Sequence, residues 1–264
     1  MDLQLSGKLA LVTGSTAGIG LAIGSTLAGE GATVIINGRS EKRVTEAIQK
    51  IRQQYPHGKL EALIGDLSKG ETVKQATSSF PRVDVLINNL GIYGIKSFEN
   101  MLDEDWAAII ETNFMSGVRL SRHYLPKMKA KNWGRIIFIS SESAINIPVE
   151  MIHYGVTKTM QLALARGLAE TTAGTGVTVN SILPGPTRSE GVEGFVSHMA
   201  KSRNVEWSVV EKEFFETIRP SSLLKRFATP EEVATLVAFV ASPLSSATNG
   251  TALRVDGGVV RSII

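Results

Sequence analysis

The sequence predicts an α/β fold: one domain over residues 1–264, built on a doubly wound parallel sheet with helices on both faces. Three observations predict it. Short β-branched runs alternate with helical segments almost from end to end. The strand runs are continuously apolar, as expected of parallel strands covered on both sides. A glycine-rich turn joins the first strand to the first helix, the position of a phosphate cradle in such folds.

The strands are read at 9–13, 33–37, 60–64, 83–87, 135–140, 177–182 and 252–255. Helices are read at 19–29, 41–54, 70–80, 103–131, 154–172 and 230–241. Pro230 followed by Glu231 and Glu232 is a strong helix start, because proline tolerates the first turn and acids favour the dipole there. Repeated strand-helix-strand units imply right-handed crossovers and hence one continuous sheet. The segment 185–226 is too long for a plain connection. It is predicted to be a substrate lid, with Asn204 capping a helix that turns Trp207, Val210, Phe214 and Ile218 to one side. Phe195 and Met199 join them as apolar candidates for the pocket.

Composition narrows the function classes. A net charge of +3 without a basic cluster points away from nucleic acid. The chain has no cysteine, which excludes disulfides, thiolate catalysis and cysteine-ligated metals. No apolar stretch approaches the ~18 residues of a membrane span, and the N-terminus lacks a signal-peptide pattern. A cytoplasmic protein without a membrane partner is expected. No cluster of His, Asp and Glu has metal-site spacing, so no metal is expected.

The turn reads Thr13-Gly14-Ser15-Thr16-Ala17-Gly18-Ile19-Gly20. Its glycines permit a tight turn and close backbone approach, while the helix start offers free N–H groups to a pyrophosphate. The second strand ends Asn37-Gly38-Arg39-Ser40. An acid there would bind a ribose hydroxyl, whereas a guanidinium suits a 2′-phosphate. Arg39 therefore favours NADP(H), with NAD(H) as the alternative.

Tyr154 and Lys158 are four apart and share one helix face. A free phenol, with pKa ~10, is a poor base near neutrality, and a neighbouring ammonium should favour its ionised form. Ser141 follows a strand at its C-terminal end, where ligands bind in open α/β sheets, and its hydroxyl can bond a substrate oxygen as charge develops there. Ser140 is an adjacent competitor.

These pieces resemble the short-chain dehydrogenase/reductase family of Rossmann folds, from Lys8 to Gly258. The matching pieces are the turn at 13–20, Asp66-Leu67, Asn88-Asn89-Leu90-Gly91, Asn113, Ser141, Tyr154-X3-Lys158, Pro184-Gly185 and Val255-Asp256-Gly257-Gly258. Ser141 is chosen over Ser140 because it stands thirteen residues before Tyr154, the usual family spacing. The resemblance implies hydride transfer between a nicotinamide cofactor and a small carbonyl or alcohol, with Asn113, Ser141, Tyr154 and Lys158 as the catalytic set. It implies that Asn113 holds a water linking Lys158 to solvent. It implies cofactor contacts from Gly14, Ser15, Thr16, Gly18, Ile19, Gly20, Arg39, Tyr154, Lys158, Pro184 and Gly185. By the same resemblance Asp66 and Leu67 contact the adenine, Asn89 and Gly91 the adenosine side, and Thr187 the nicotinamide carboxamide. Leu90 replaces the alanine usual in that motif.

Other features are read more plainly. His153, at a helix start, is expected in solvent, while Glu142 and Ser143 are candidates for the substrate pocket. The helix at 154–172 carries Val156, Met160, Leu162, Leu164 and Leu168, more than one narrow stripe, so a homo-oligomer is expected. Family resemblance favours a tetramer or dimer. One rival is a 3-oxoacyl carrier-protein reductase, with Arg119, Arg122, Lys127, Lys129 and Lys131 as a basic side for an acidic carrier. Against it, the segment Gly174-Thr175-Gly176 is uncharged where such relatives often carry Arg or Lys. A second rival, a non-catalytic nucleotide-binding module, conflicts with retention of all four catalytic residues.

Overall fold

The computed structural model describes residues 1–263, apart from the side chain of Phe195. Seven parallel strands, β1 (Leu9–Val12), β2 (Thr33–Gly38), β3 (Lys59–Ile64), β4 (Val85–Asn88), β5 (Gly134–Ile139), β6 (Val177–Pro184) and β7 (Ala252–Val255), form one sheet. Their order is β3-β2-β1-β4-β5-β6-β7, so the chain reverses its direction of winding beside β1 and β4. That switch point opens a crevice at the C-terminal strand ends.

Two layers cover the sheet. On one face, α1 (Gly18–Gly29), α2 (Glu41–Gln54) and α9 (Pro230–Ala241) pack Ile23, Leu27, Ile51 and Val237 against β1, β2 and β5. On the other, α3 (Gly70–Ser79), α5 (Ser116–Lys131) and α6 (Ile152–Glu170) bury Val73, Leu120, Tyr124 and Ala165. The start of α9 is built as its residues predict: Thr229 accepts from the Glu232 N–H, and the Glu232 carboxylate accepts from the Thr229 N–H.

The structure differs from the sequence reading in four places. Strand β3 exposes most of its side chains, because it is an edge with one neighbour. The expected single helix at 103–131 is three pieces: α4 (Asp103–Ile110), a π turn at Glu111–Met115, and α5. Asn113 sits in that π turn, a wider turn often found where a side chain needs re-aiming. Asn204 does not start a helix. It adopts φ +51° and closes α7 (Glu190–Arg203) at its C-terminus, a left-handed cap that asparagine tolerates well. The next helix, α8 (Trp207–Glu213), runs into a π turn at Phe214–Ile218, and the extra residue per turn shifts the buried face. Phe215 is consequently buried, while Ile218 is 49% exposed.

Residues of the 185–226 segment pack around a small core of their own, Val196, Ala200, Val210 and Phe215, joined by Phe227. The expectation for the Phe195 side chain lies outside the described residues.

Candidate active site

The glycine turn leaves β1 through Gly14 (φ +60°) and enters α1 at Gly18 (φ +52°), both in the left-handed region that glycine occupies without strain. Ser15 is buried and works inward: its hydroxyl donates to the Val12 carbonyl at 2.7 Å and accepts from the Asn37 N–H at 2.9 Å. Its N–H also donates to the Asn37 carbonyl at 2.9 Å, so Ser15 supports the turn from within. Ala17 precedes α1 without a side-chain cap, so no side chain satisfies the first helical N–H groups there. A Cβ on Gly20 would lie 2.5 Å from both the Gly14 carbonyl oxygen and Asn89 Nδ2, so the turn requires glycine there.

Asn89 is a brace. Its amide donates to the carbonyls of Thr13 (2.9 Å) and Gly14 (3.1 Å), while the Thr13 hydroxyl accepts from the N–H groups of Asn89 and Leu90. Leu67 likewise turns its side chain into the core, leaving only backbone available, and Asp66 accepts from the N–H and hydroxyl of Ser68. Sequence reasoning missed Asn37, whose Oδ1 accepts from the Gly14 N–H at 3.0 Å and whose Nδ2 donates to the Leu63 and Gly65 carbonyls. Arg39 stands exposed at the end of β2 with no carboxylate partner among the described residues. A Cβ on the preceding Gly38 would fall 2.5 Å from the Thr16 methyl.

Ser141, Tyr154, Pro184, Gly185 and Thr187 line a cavity of about 360 Å³ together with Ile19, which connects it to the glycine turn. Gly185 is needed for packing: a Cβ there would sit 2.5 Å from the Asp256 carbonyl oxygen. The Asp256 carboxylate in turn accepts from the N–H groups of Gly258 and Val260, ordering the terminal turn. Thr187 is buried, and its hydroxyl donates to the Gly185 carbonyl at 2.9 Å.

The two adjacent serines divide their work. The Ser140 hydroxyl donates to the Lys158 carbonyl at 2.9 Å, bracing β5 to α6. Ser141 accepts from the Ser143 N–H at 3.1 Å, and its hydroxyl beside the Tyr154 phenol lowers that phenol's pKa. Lys158 is buried, donates to the Ile139 carbonyl at 2.8 Å, and holds its Nζ 5.5 Å from the Tyr154 ring centre. Near Gly91 the Asn113 Oδ1 and Lys158 Nζ converge, 3.5 and 3.6 Å from where a Cβ would stand.

Asn113 spends its amide on neighbours. Oδ1 accepts from the Ile92 N–H at 2.7 Å, and Nδ2 donates to the Ile92 carbonyl and the Thr157 hydroxyl. Its backbone carbonyl accepts from Gln161 Nε2 at 2.5 Å, a partner with no signal in the sequence.

Burial dominates the electrostatics. The Tyr154 phenol is pushed up to about 12 by desolvation, which the bond from Ser141 only partly offsets, with Glu142 and Tyr93 raising it further. Lys158 is pushed down to about 8 by desolvation. Removal from water is the largest influence on both groups, so the phenol keeps its proton at rest. His153 corrects an expectation. It is buried, its ring packs edge-on against Trp106 at 6.1 Å, and burial lowers its pKa. Helix α6 starts two residues before Tyr154, which carries His153 into the contact between α4 and α6.

Glu142 and Ser143 line the cavity as expected. Sequence reasoning missed Arg219, which pairs with Glu142 across 77 positions of chain. Burial raises the Glu142 pKa, and the Arg219 charge pulls it back. Among the described residues no group of three or more His, Asp or Glu could hold a metal, and no helix is long and apolar enough to cross a membrane.

The basic side of α5 is largely occupied. Arg119 pairs with Glu111, Lys131 with Asp84, and Lys129 with the Thr171 carbonyl.

Comparison with known proteins sets this site in context. A family model described as short chain dehydrogenase matches residues 8–200. The chain is 48% identical to an uncharacterised oxidoreductase of Bacillus subtilis, YvaG, over the full length of both. It is 35% identical to a D-beta-hydroxybutyrate dehydrogenase of Cupriavidus necator, covering 97% of this chain and 99% of the other. Among solved structures, the L-sorbose reductase of Gluconobacter frateurii complexed with NADPH and L-sorbose superposes with a TM-score of 0.92 at 30% identity, over all of both chains.

Proposed function

The chain belongs to the short-chain dehydrogenase family and is an NAD(P)-dependent oxidoreductase acting on CH–OH or C=O groups; from that premise we propose that it interconverts a small carbonyl compound and its alcohol using NADP(H), with Tyr154 as the proton donor and acceptor. The observation that carries this reading is that Ser141 and Tyr154 line one cavity with Ile19 of the glycine turn, while Lys158, packed against the Tyr154 ring, converges with Asn113 behind its wall.

The residues fit a dinucleotide. The uncapped N–H groups at the start of α1 suit a pyrophosphate. Backbone of Thr16, Gly18 and Ile19 would hold the phosphates, with Gly14 and Ser15 fixed by Asn37 to shape the turn, and Asp66 and Gly91, with Leu67 buried beneath, would meet the adenosine side. Thr187 and Pro184 would hold the nicotinamide end. Arg39 favours a 2′-phosphate, supported by its exposure and by the absence of an acid beside it. The relative crystallised with NADPH is consistent with that choice.

The nicotinamide supplies the hydride. Ser141 and Tyr154 orient the substrate oxygen, and the phenol donates its proton as negative charge grows there. A phenol held near 12 is fully protonated at neutral pH, which suits the acid role in reduction. Lys158, buried beside the ring, stabilises the phenolate left behind. Resupply of the proton runs from the Asn113 side through Lys158 to the phenolate.

The segment 185–226 acts as a lid, supported by its separate small core and its pairing of Arg219 with Glu142 over the cavity. The outer side of α6, where Ala163 and Gly167 are exposed, suits a second copy of the chain, so a dimer or tetramer is the working assembly. Delivery by an acidic carrier finds little support, because the basic side chains of α5 are mostly engaged within the chain.

The test is a panel of carbonyl compounds and alcohols run with both cofactors, following absorbance of the reduced nicotinamide. Turnover faster with NADPH than NADH is expected, and no turnover with either would reject the reading.

A further inference from the structure

The cavity beside Ser141 contains a buried ion pair that the hydride chemistry does not need. Arg219 Nε donates to Glu142 Oε1 at 3.1 Å, and the two side chains keep only 11% and 4% of their exposure. Desolvating two charges costs several kcal/mol per ion before their attraction offsets it, so apolar residues would dock this segment at lower cost. A role in recognition accounts for the expense.

The charge inventory of the wall narrows what is recognised. Among the described residues lining the cavity, the charged side chains are Glu142, Glu150 and Arg219. The one guanidinium is engaged twice already, through Nε to Glu142 and through Nη1 to the Ile218 carbonyl at 3.1 Å. The wall therefore carries two carboxylates against one occupied cation. Ionised carboxylates accept hydrogen bonds and donate none, so the part of a substrate lying against them must be a donor. An anionic substrate would meet two carboxylates against a single guanidinium already paired with one of them, whereas the buried Glu142 Oε2 has no partner among the described residues and is open to a donor. A wholly apolar ketone would seal the pair from water and offer nothing in return.

Resting on the oxidoreductase reading above, we propose that the cavity selects a neutral carbonyl compound bearing hydroxyl groups, a hydroxyketone or polyol, and that Glu142, positioned by Arg219, is its specificity-determining residue. Glu142 follows Ser141 directly in the chain, which sets the recognised hydroxyl near the reacting carbon. The remaining wall, with Ile95, Met151, Val192 and Phe214, packs the carbon skeleton.

Three four-carbon 2-ketones of similar size test this: erythrulose, which is neutral and hydroxylated; 2-butanone, which is neutral and apolar; and acetoacetate, which is anionic. The native enzyme should show a kcat/KM with NADPH for erythrulose at least tenfold above the other two. In Glu142→Gln the charge that holds Arg219 is lost, and the freed guanidinium can take a carboxylate. The ratio of kcat/KM for erythrulose to that for acetoacetate should then fall at least tenfold, mainly through KM. Arg219→Lys, which keeps the charge, should retain more of that ratio than Arg219→Leu. An equal loss on all three ketones in Glu142→Gln would assign the pair a structural role and overturn the specificity assignment. The native panel decides the substrate class even if the variants do not fold. A preference for 2-butanone or acetoacetate overturns the class while leaving the oxidoreductase reading intact, whereas no NADPH oxidation with these or any other carbonyl compound overturns both.

Discussion

Cofactor choice turns on one exposed side chain, and the structure sets how the experiment must be built. Arg39 ends β2 in solvent with no carboxylate paired to it among the described residues, so its guanidinium is placed to meet a 2′-phosphate through two parallel hydrogen bonds. Charge-assisted bonds contribute about 1.5–3 kcal/mol each when dry. Exposure and salt reduce the pair to about 1.5 kcal/mol in total, which is roughly tenfold in kcat/KM. Arg39→Ala should therefore lower the NADPH-to-NADH ratio of kcat/KM about tenfold at fixed ionic strength. Reversal needs an acceptor for the ribose hydroxyl, hence Gly38→Asp with Arg39→Ile. A Cβ at position 38 would meet the Thr16 methyl at 2.5 Å, so the reversal should be complete only when Thr16→Ser removes that methyl. Steady-state kinetics with both cofactors, followed by absorbance of the reduced nicotinamide, measure each ratio. A native preference for NADH, or an unchanged ratio in Arg39→Ala, would refute the phosphate role.

Three further outcomes are expected. Reductive kcat/KM should fall as pH rises through about 8, because the buried Lys158 gives up its proton there while the phenol keeps its own to about 12; a flat profile to pH 10 would separate Lys158 from the reaction. Gly20→Ala should abolish cofactor binding measured by nicotinamide fluorescence, since its Cβ would lie 2.5 Å from the Gly14 carbonyl oxygen in the turn itself; native affinity would show the turn can yield. Amide hydrogen exchange over 185–226 should slow when cofactor and substrate bind together, and equal exchange with and without them would remove the lid role.

Most of the fold was legible because its signals are local. A strand, a glycine turn and a helix follow one another within about twenty residues, and Tyr154 with Lys158 needs only one helical turn to share a face. What escaped depends on contacts distant in sequence or on small changes in helical phase. Arg219 reaches Glu142 across 77 positions, and Gln161 reaches Asn113 across 48. The π turns at Glu111–Met115 and Phe214–Ile218 shift phase by one residue, which periodicity over a short window does not resolve. Asn204 belongs to a residue type that suits both ends of a helix, and only the left-handed φ distinguishes them. The depth of burial that holds the Tyr154 proton is likewise not visible in sequence, whereas the neighbouring lysine is.

The central claim is that Tyr154 carries the proton. Tyr154→Phe removes a single hydroxyl and keeps the ring, its edge-on packing with Tyr93 at 6.2 Å and the Lys158 amine beside it. Losing positioned acid–base catalysis costs about 10²–10⁴-fold in rate. The measurement is kcat of Tyr154→Phe on whichever carbonyl compound the native enzyme reduces best, alongside its dissociation constant for NADPH. A fall in kcat of at least a hundredfold, with cofactor affinity unchanged within about twofold, is expected. Turnover near the native value would contradict the assignment outright.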